Sequence, residues 1–405
     1  MKIMIVNTYY YPEIVGGAEY SVKKLAEGLH SAGHDVVVLC TGDRDVREKI
    51  DGIDVIRFTS KIPTRAINSG SASSLRKIIR RVCDIWNPFN KSKLASIILN
   101  EKPDIVHTNG LYDISPIIWK VSKRLDAMVI HTLRDYFLCC PLVAMECEGK
   151  KEKCKFQNNL CLVHRKANVR ALSKYVDYLT APSSVTLNKT VKTMGLFTKQ
   201  TKVIPNAIDF NISEVENILK SKANRHTTII KFIYLGTLSE KKGVRWLLNA
   251  FAAIECNQAE LYIAGKGELE QVVEDYVSKD SRIHYVGFLK ESDMNKLLME
   301  MDVLLCPSLW EEPFGRVVLD AYKHAIPVIA SDRGALPELV IDGVTGKIVH
   351  VNHPDELEIS INYYINHPNE LVKQRYECLK MLKQFDISSQ IKAFGDLYAN
   401  VLYKS

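Results

Sequence analysis

The sequence predicts an α/β protein made of two doubly wound parallel sheets, one in each half of the chain. Three observations predict it. Short apolar runs of strand length recur along the 405 residues, helical stretches with one apolar face separate them, and the pattern starts afresh after residue 210. The length itself exceeds one ordinary α/β unit, so two domains are expected.

Residues 2–7 (KIMIVN) read as a buried strand, followed by a loop through Gly16 and Gly17. Ala18, Val22, Leu25, Ala26 and Leu29 then share one helical face, Gly33 stops that helix, and VVVLC at 36–40 is the next strand. DIVH at 104–107, MVIH at 128–131 and YLTA at 178–181 continue the alternation. Such unbroken apolar strands suit a sheet covered on both faces. The polar stretch 211–226 reads as a linker. Beyond it, KFIYLG at 231–236 is a strand, and Val244, Leu247, Leu248 and Phe251 fall at the spacing of a helix packed on a sheet. LYIAG, VLLCP and PVIA supply later strands. Ligands of such sheets bind at the carboxyl ends of strands, so the site is expected in a cleft between two Rossmann-like domains.

Composition narrows the class. With 46% hydrophobic and 25% charged residues, the chain has the balance of a soluble globular protein. No run approaches the ~18 apolar residues of a membrane span. The start, MKIMIVN, lacks the apolar core of a signal peptide, which predicts a cytoplasmic protein. Ten cysteines without an export signal argue against a disulfide framework. The net charge of +7 suits an anionic ligand or a lipid surface, and solvated lysines explain it equally. A nucleic-acid binder would need a denser basic face with interleaved aromatics.

The most informative stretch is 308–346, SLWEEPFGRVVLDAYKHAIPVIASDRGALPELVIDGVTG. A loop carrying Glu312, Pro313, Phe314 and Gly315 opens onto a helix starting near Arg316. Backbone N–H groups at a helix start lack internal partners and can hold a phosphate. Gly315 permits close approach, Glu312 offers an acceptor for sugar hydroxyls, and Asp320, about two turns on, one for ribose hydroxyls. A helix capped by Pro313 with two solvated acids is the competing reading of the same residues.

This stretch and its neighbours resemble family four of the retaining glycosyltransferases. The resemblance runs in order through YYPEIVGGAE, KPDIVH, VIPNAID at 203–209, GTLSEKKG at 236–243, LYIAGKGELE at 261–270, YVGF at 285–288, EPFGRVVLDA and GALPELVIDGVTG. It implies a GT-B fold, two Rossmann-like doubly wound parallel-sheet domains facing a central cleft. The implied division is 1–205 for the acceptor-side domain and 206–385 for the nucleotide-sugar donor domain. A C-terminal helix at about 386–405, carrying FGDLYANVLY, packs back on the first.

The resemblance also implies roles. Gly16 and Gly17 form the loop that approaches the donor diphosphate and sugar. Lys242 neutralises the leaving diphosphate, Glu312 contacts the donor sugar, Phe314 and Gly315 offer backbone contacts, and the loop at Phe288 holds the nucleobase. Three positions depart from the pattern. Asp320 stands for a glutamate, and Thr237 for an arginine beside the diphosphate, which leaves more charge to Lys242, with Arg316 as a substitute if it turns inward. Arg134 stands where many relatives have a histidine beside the sugar. It stays protonated and cannot act as a base, though it could hold the diphosphate or an anionic acceptor. His131, earlier on the strand, is expected on the same face as a candidate substitute; a histidine satisfied by local hydrogen bonds is the alternative.

The implied reaction moves a sugar, with retention, from a UDP- or GDP-type donor to a glycan or lipid-linked acceptor in cell-envelope polysaccharide synthesis. No cofactor is implied, the nucleotide sugar being a substrate. No metal is implied either, although Asp43-Arg44-Asp45 has the spelling of a metal-binding pair in another transferase fold. Cys140, Cys147, Cys154 and Cys161 recur every seven residues near His164, either as thiols or as a metal or redox-sensitive cross-link. The basic amphipathic stretch 74–86 reads either as a surface helix or as a contact with the inner face of a membrane. A nucleotide-sugar epimerase and a non-catalytic sugar-binding homologue remain alternatives. A nicotinamide dehydrogenase is disfavoured, because the loop after the first strand lacks GxGxxG.

Overall fold

The computed structural model describes residues 1–14, 16–61, 83–140, 159–223, 225 and 228–403. The chain divides into two compact units, Met1–Ala207 with Ile387–Ser405, and Ile208–Asp386.

The first unit holds eight strands: β1 Lys2–Val6, β2 Asp35–Thr41, β3 Val46–Ile50, β4 Ile53–Phe58, β5 Ile105–Thr108, β6 Met128–Thr132, β7 Tyr178–Ala181 and β8 Thr201–Val203. They form one sheet in the order β3-β4-β2-β1-β5-β6-β7-β8. Every neighbouring pair is parallel except β3 and β4. That antiparallel pair is a two-residue hairpin turned by Asp51 and Gly52, both at positive φ. Ile3 and Ile5 of β1 point into one core, Met4 and Val6 into the other. Burial on both faces is why the strand reads as an unbroken apolar run. The chain runs outward from β1 through β2 and β4, then crosses to β5 on the other side. The gap between β1 and β5 is therefore a switch point, where the loops after the strands diverge.

The C-terminal helix Ile387–Tyr403 belongs to this unit. Phe394, Leu397, Tyr398 and Val401 complete the core that covers Ile3, Ile5, Val36 and Val38. The Tyr398 hydroxyl lies 2.7 Å from Nδ1 of the fully buried His107, whose Nε2 meets Thr132 Oγ1 at 2.6 Å.

The second unit repeats the scheme with β9 Ile230–Leu235, β10 Ala259–Ala264, β11 Ile283–Gly287, β12 Val303–Cys306, β13 Val328–Ser331 and β14 Gly346–Val349. Its sheet is parallel throughout, in the order β11-β10-β9-β12-β13-β14, with the switch point between β9 and β12. Phe232 and Tyr234 face one core, and Ile233 faces the other.

The stretch read as a linker is structured. Ile212–Ala223 is a helix of the second unit, with Val215 and Leu219 in its core. Lys222 is buried and donates to the carbonyls of Leu298 and Met301 at 2.9 and 2.7 Å. Polar residues dominate the composition of this segment, but its sparse apolar residues share one face.

Among the described residues no helix is long and apolar enough to cross a membrane. Residues 74–82 of the basic stretch lie outside the described residues, as do Cys147 and Cys154. Trp86, at the end of that stretch, packs against the first core beneath Lys120, whose Nζ is 5.7 Å from the ring centroid.

Candidate functional site

The loops leaving β9 and β12 meet at the switch point of the second sheet. The β9 loop ends in a single turn, Glu240–Lys242, closed by Gly243 at φ +74. A Cβ on Gly243 would stand 1.9 Å from the carbonyl oxygen of Pro307, so only glycine lets this loop lie on the exit of β12. The amides of Leu309 and Trp310 both donate to the Lys241 carbonyl, which stitches the two loops together.

That stitching brings Lys242 onto Glu312, with Nζ 2.5 Å from Oε1. Ser308 Oγ donates to the same oxygen at 2.6 Å, and Lys242 Nζ lies 5.0 Å from the centroid of the Trp310 ring. Glu312 is only 6% exposed. Burial works against its charged form, but the Lys242 ammonium and the hydrogen bonds from Lys242 and Ser308 outweigh it and hold the carboxyl below its ordinary range. Its backbone is fixed as well, since the Ala335 amide donates to the Glu312 carbonyl at 2.8 Å.

The helix Arg316–Lys323 starts directly after this pair. Gly315 stands at its N-cap at φ +97 and makes no side-chain cap hydrogen bond, and a helix start is where backbone N–H groups can meet an anion. Pro313 and Phe314 are buried, the latter edge-on to Phe385 with centroids 6.0 Å apart, which anchors the helix start in the core. One turn in, the Asp320 carboxylate is 3.8 Å from Arg316 Nε. Burial raises the Asp320 carboxyl despite the opposing pull of Arg316 and Lys323. Thr237 is exposed just past β9, its carbonyl accepting from the Tyr234 hydroxyl at 2.8 Å. Phe288 follows β11 and is 68% exposed.

In the first unit Gly16 precedes the helix Gly17–Ser31, and its amide donates to Glu19 Oε2 at 2.8 Å. Asn7 ties the exits of β1 and β5: its Oδ1 accepts from the Gly110 amide at 2.7 Å and its Nδ2 donates to the Tyr9 carbonyl at 2.7 Å. Arg134 leaves the end of β6 and donates from Nε to Asn109 Oδ1 at 2.9 Å and from Nη1 to Asn206 Oδ1. Burial lowers this guanidinium to about 10, partly offset by Tyr398 and Glu19, so it stays charged near neutrality.

His131 does not share a strand face with Arg134. They are three positions apart, an odd offset that strand alternation sends to opposite faces, and β6 in any case ends at Thr132. The His131 ring turns into the core, with Nδ1 2.9 Å from Thr108 Oγ1 and its face edge-on to Trp119 at 5.1 Å. Burial and the nearby Arg134 depress it to about 3, although the Thr108 bond works the other way, so it is neutral at ordinary pH. Asp45 is engaged elsewhere, accepting from Lys93 Nζ at 2.6 Å and the Thr59 amide at 2.7 Å.

Sequence reasoning misses Asn109, Asn206, Ser308 and Trp310. Asn206 sits inside VIPNAID and Asn109 two residues after DIVH, so strand-end position was an available signal. Their pairing with Arg134 is tertiary and leaves no local trace.

Residues 15–211 match the family model described as Glycosyltransferase Family 4, and residues 230–367 match that described as Glycosyl transferases group 1. An uncharacterized 42.6 kDa protein in the cps region of Klebsiella pneumoniae is 29% identical over 344 residues, covering 84% of this chain and 87% of its own. Among solved structures, sucrose-phosphate synthase from Thermosynechococcus elongatus superposes with a TM-score of 0.76 at 19% identity, over 100% of both chains. Anabaena HepE in complex with UDP-glucose gives 0.70 at 18% identity, over 99% of this chain and 100% of its own. At such identities these two likenesses establish the fold, GT-B. With one family model on each parallel-sheet unit, in sequence order, the chain belongs to the family-four, group 1 glycosyltransferases.

Proposed function

We propose that this glycosyltransferase is retaining and metal-independent, and that it transfers a hexose from a UDP- or GDP-type donor to a glycan or lipid-linked acceptor in cell-envelope polysaccharide synthesis. The observation that carries the reading is the Lys242–Glu312 pair at the β9/β12 switch point, beside the helix start at Gly315. The helix N–H groups suit the donor diphosphate, and Lys242 supplies the fixed cation that a leaving diphosphate needs. Glu312, fixed through Ser308 and Ala335, accepts from sugar hydroxyls, and Asp320 accepts from the ribose. Thr237 and Phe288 flank the nucleotide, and Gly16 and Gly17, at the start of the helix Gly17–Ser31, are first-unit candidates for substrate contact.

In the proposed step the bond between the sugar C1 and the phosphate oxygen breaks, and its electron pair passes to the diphosphate. The acceptor hydroxyl adds to C1 from the same face and its proton passes to the departing phosphate. Arg134 and not His131 is a further first-unit candidate for touching substrate, because the His131 ring is closed in by Thr108 and Trp119. The Klebsiella relative from a cps region supports the cell-envelope setting, and UDP-glucose bound to the Anabaena neighbour supports UDP as the first donor base to try.

A thermal-shift screen of the full chain against UDP, GDP, ADP, CMP and their sugar conjugates tests this. Stabilisation by one diphosphate family, lost in Lys242→Ala, is expected. No stabilisation of well-folded protein by any of them would favour a non-catalytic homologue.

A further inference from the structure

Arg134 is a part-buried cation that its described surroundings orient but do not neutralise. Asn109 Oδ1 and Asn206 Oδ1 hold Nε and Nη1, and both are neutral carbonyl oxygens. They fix the plane of the guanidinium and bring no negative charge. Nη2 is shut off from bulk water and has no hydrogen-bond partner among the described residues. No described carboxylate lies within ion-pair distance; Glu19 acts only through space, and the Tyr398 phenol, raised far above its usual range, is neutral. Holding a guanidinium nitrogen out of water with neither a counter-charge nor a hydrogen-bond partner is costly, and an anionic ligand would remove that cost.

The location agrees. Asn109 follows β5 at the β1/β5 switch point, and Arg134 after β6 and Asn206 after β8 lie on the same carboxyl edge of the first sheet. Ligands of doubly wound sheets bind at that edge. The anchoring also favours one contact: Nε and one Nη1 hydrogen are taken by the asparagines, while Nη2 keeps both of its hydrogens to donate. In a site of low dielectric an oxyanion meeting it gains far more than it would in water.

We infer that Arg134 is the receptor for an oxyanion, a carboxylate or a phosphate, carried by the sugar or glycan that docks on the first sheet, so that this enzyme handles an acidic carbohydrate substrate. The inference rests on the glycosyltransferase reading, but on the first unit's geometry and not on Lys242 and Glu312. Asn109 and Asn206 are the positioning residues.

The test is calorimetric titration of the full chain, at constant ionic strength, with glucuronate, glucose 6-phosphate, neutral glucose and UDP. The proteins are wild type, Lys242→Ala, Arg134→Gln and Arg134→Lys. One acidic sugar should bind wild type and Lys242→Ala alike and glucose should not. Binding should weaken at least tenfold in Arg134→Gln, with UDP binding kept. Which acid binds separates a carboxylate from a phosphate. Arg134→Lys, which keeps the cation without the two-asparagine fork, should retain part of the affinity, and it decides the matter if Arg134→Gln does not fold. Equal binding by wild type and the Arg134 variants, or no acidic sugar bound by wild type, overturns the inference. So does a loss confined to UDP, which would make the anion the donor's own diphosphate. Failure of every protein to bind any nucleotide would count against the donor site and leave the acidic-sugar result to decide this one.

Discussion

Lys242 has one charge and two claims on it. In the structure it neutralises Glu312, a buried carboxylate that also takes a hydrogen bond from Ser308. A donor diphosphate at the neighbouring helix start would compete for the same ammonium and carries more charge. Lys242→Ala should therefore cut turnover by about a hundredfold or more; turnover near wild type, measured at saturating donor, would take Lys242 out of the mechanism. His131 makes a different argument, about stability. Its native pKa of about 3 lies below the ordinary 6.5, so between those values the unfolded chain binds a proton that the native one does not. Stability must then rise with pH through that window, by up to about 1.4 kcal/mol per pH unit from this group alone. His131→Gln, which keeps a group able to bond Thr108, should flatten the slope of unfolding free energy between pH 4 and pH 6. An unchanged slope in urea titrations would mean that the ring is not buried neutral. Buried His107 is depressed in the same direction and leaves a residual slope.

At the scale of elements, the C-terminal helix Ile387–Tyr403 completes the first unit from the far end of the sequence. Tyr398 places its hydroxyl on His107, a ring with no other way to satisfy Nδ1 in the described surroundings. Tyr398→Phe removes that partner and leaves a buried polar atom, so it should cost ~1–3 kcal/mol in denaturant unfolding. Tyr403→Phe, at a side chain 91% exposed, should cost nothing measurable. Elements such as β1 and β9 are legible from sequence because burial on both faces forces an unbroken apolar run. The β3–β4 hairpin is not read, although Asp51-Gly52 is a strong turn signal. Its flanking strand VREKI is mostly charged, with a burial pattern that never drops below partial exposure. The Ile212–Ala223 helix escapes for a related reason: Lys222 is buried among carbonyls, where composition predicts solvent.

Over the whole molecule, order carries what single motifs cannot. EPFGRVVLDA alone is a loop and a helix start, and GTLSEKKG alone is a turn. Their succession across two parallel-sheet units identifies the family, and the structure then shows why the spacing matters: 70 residues apart, Lys242 and Glu312 leave strands that flank one switch point. The anchors of Arg134 are illegible by the same token, since Asn109 and Asn206 lie on either side of it in the chain and meet only through the order β5-β6-β7-β8. The charge chemistry leads to a final expectation. A donor diphosphate needs its developing charge compensated, which a divalent ion or fixed protein cations can do. Here Lys242 and the N–H groups after Gly315 stand at the switch point, while Asp45 is committed to Lys93 and the Thr59 amide. Among the described residues no group of three or more His, Cys, Asp and Glu side chains is placed to hold a metal. Transfer should therefore continue at an undiminished rate after dialysis against a strong chelator. If activity falls and magnesium restores it, while Lys242→Ala remains active, the charge is carried by an ion and the assignment of Lys242 fails with it.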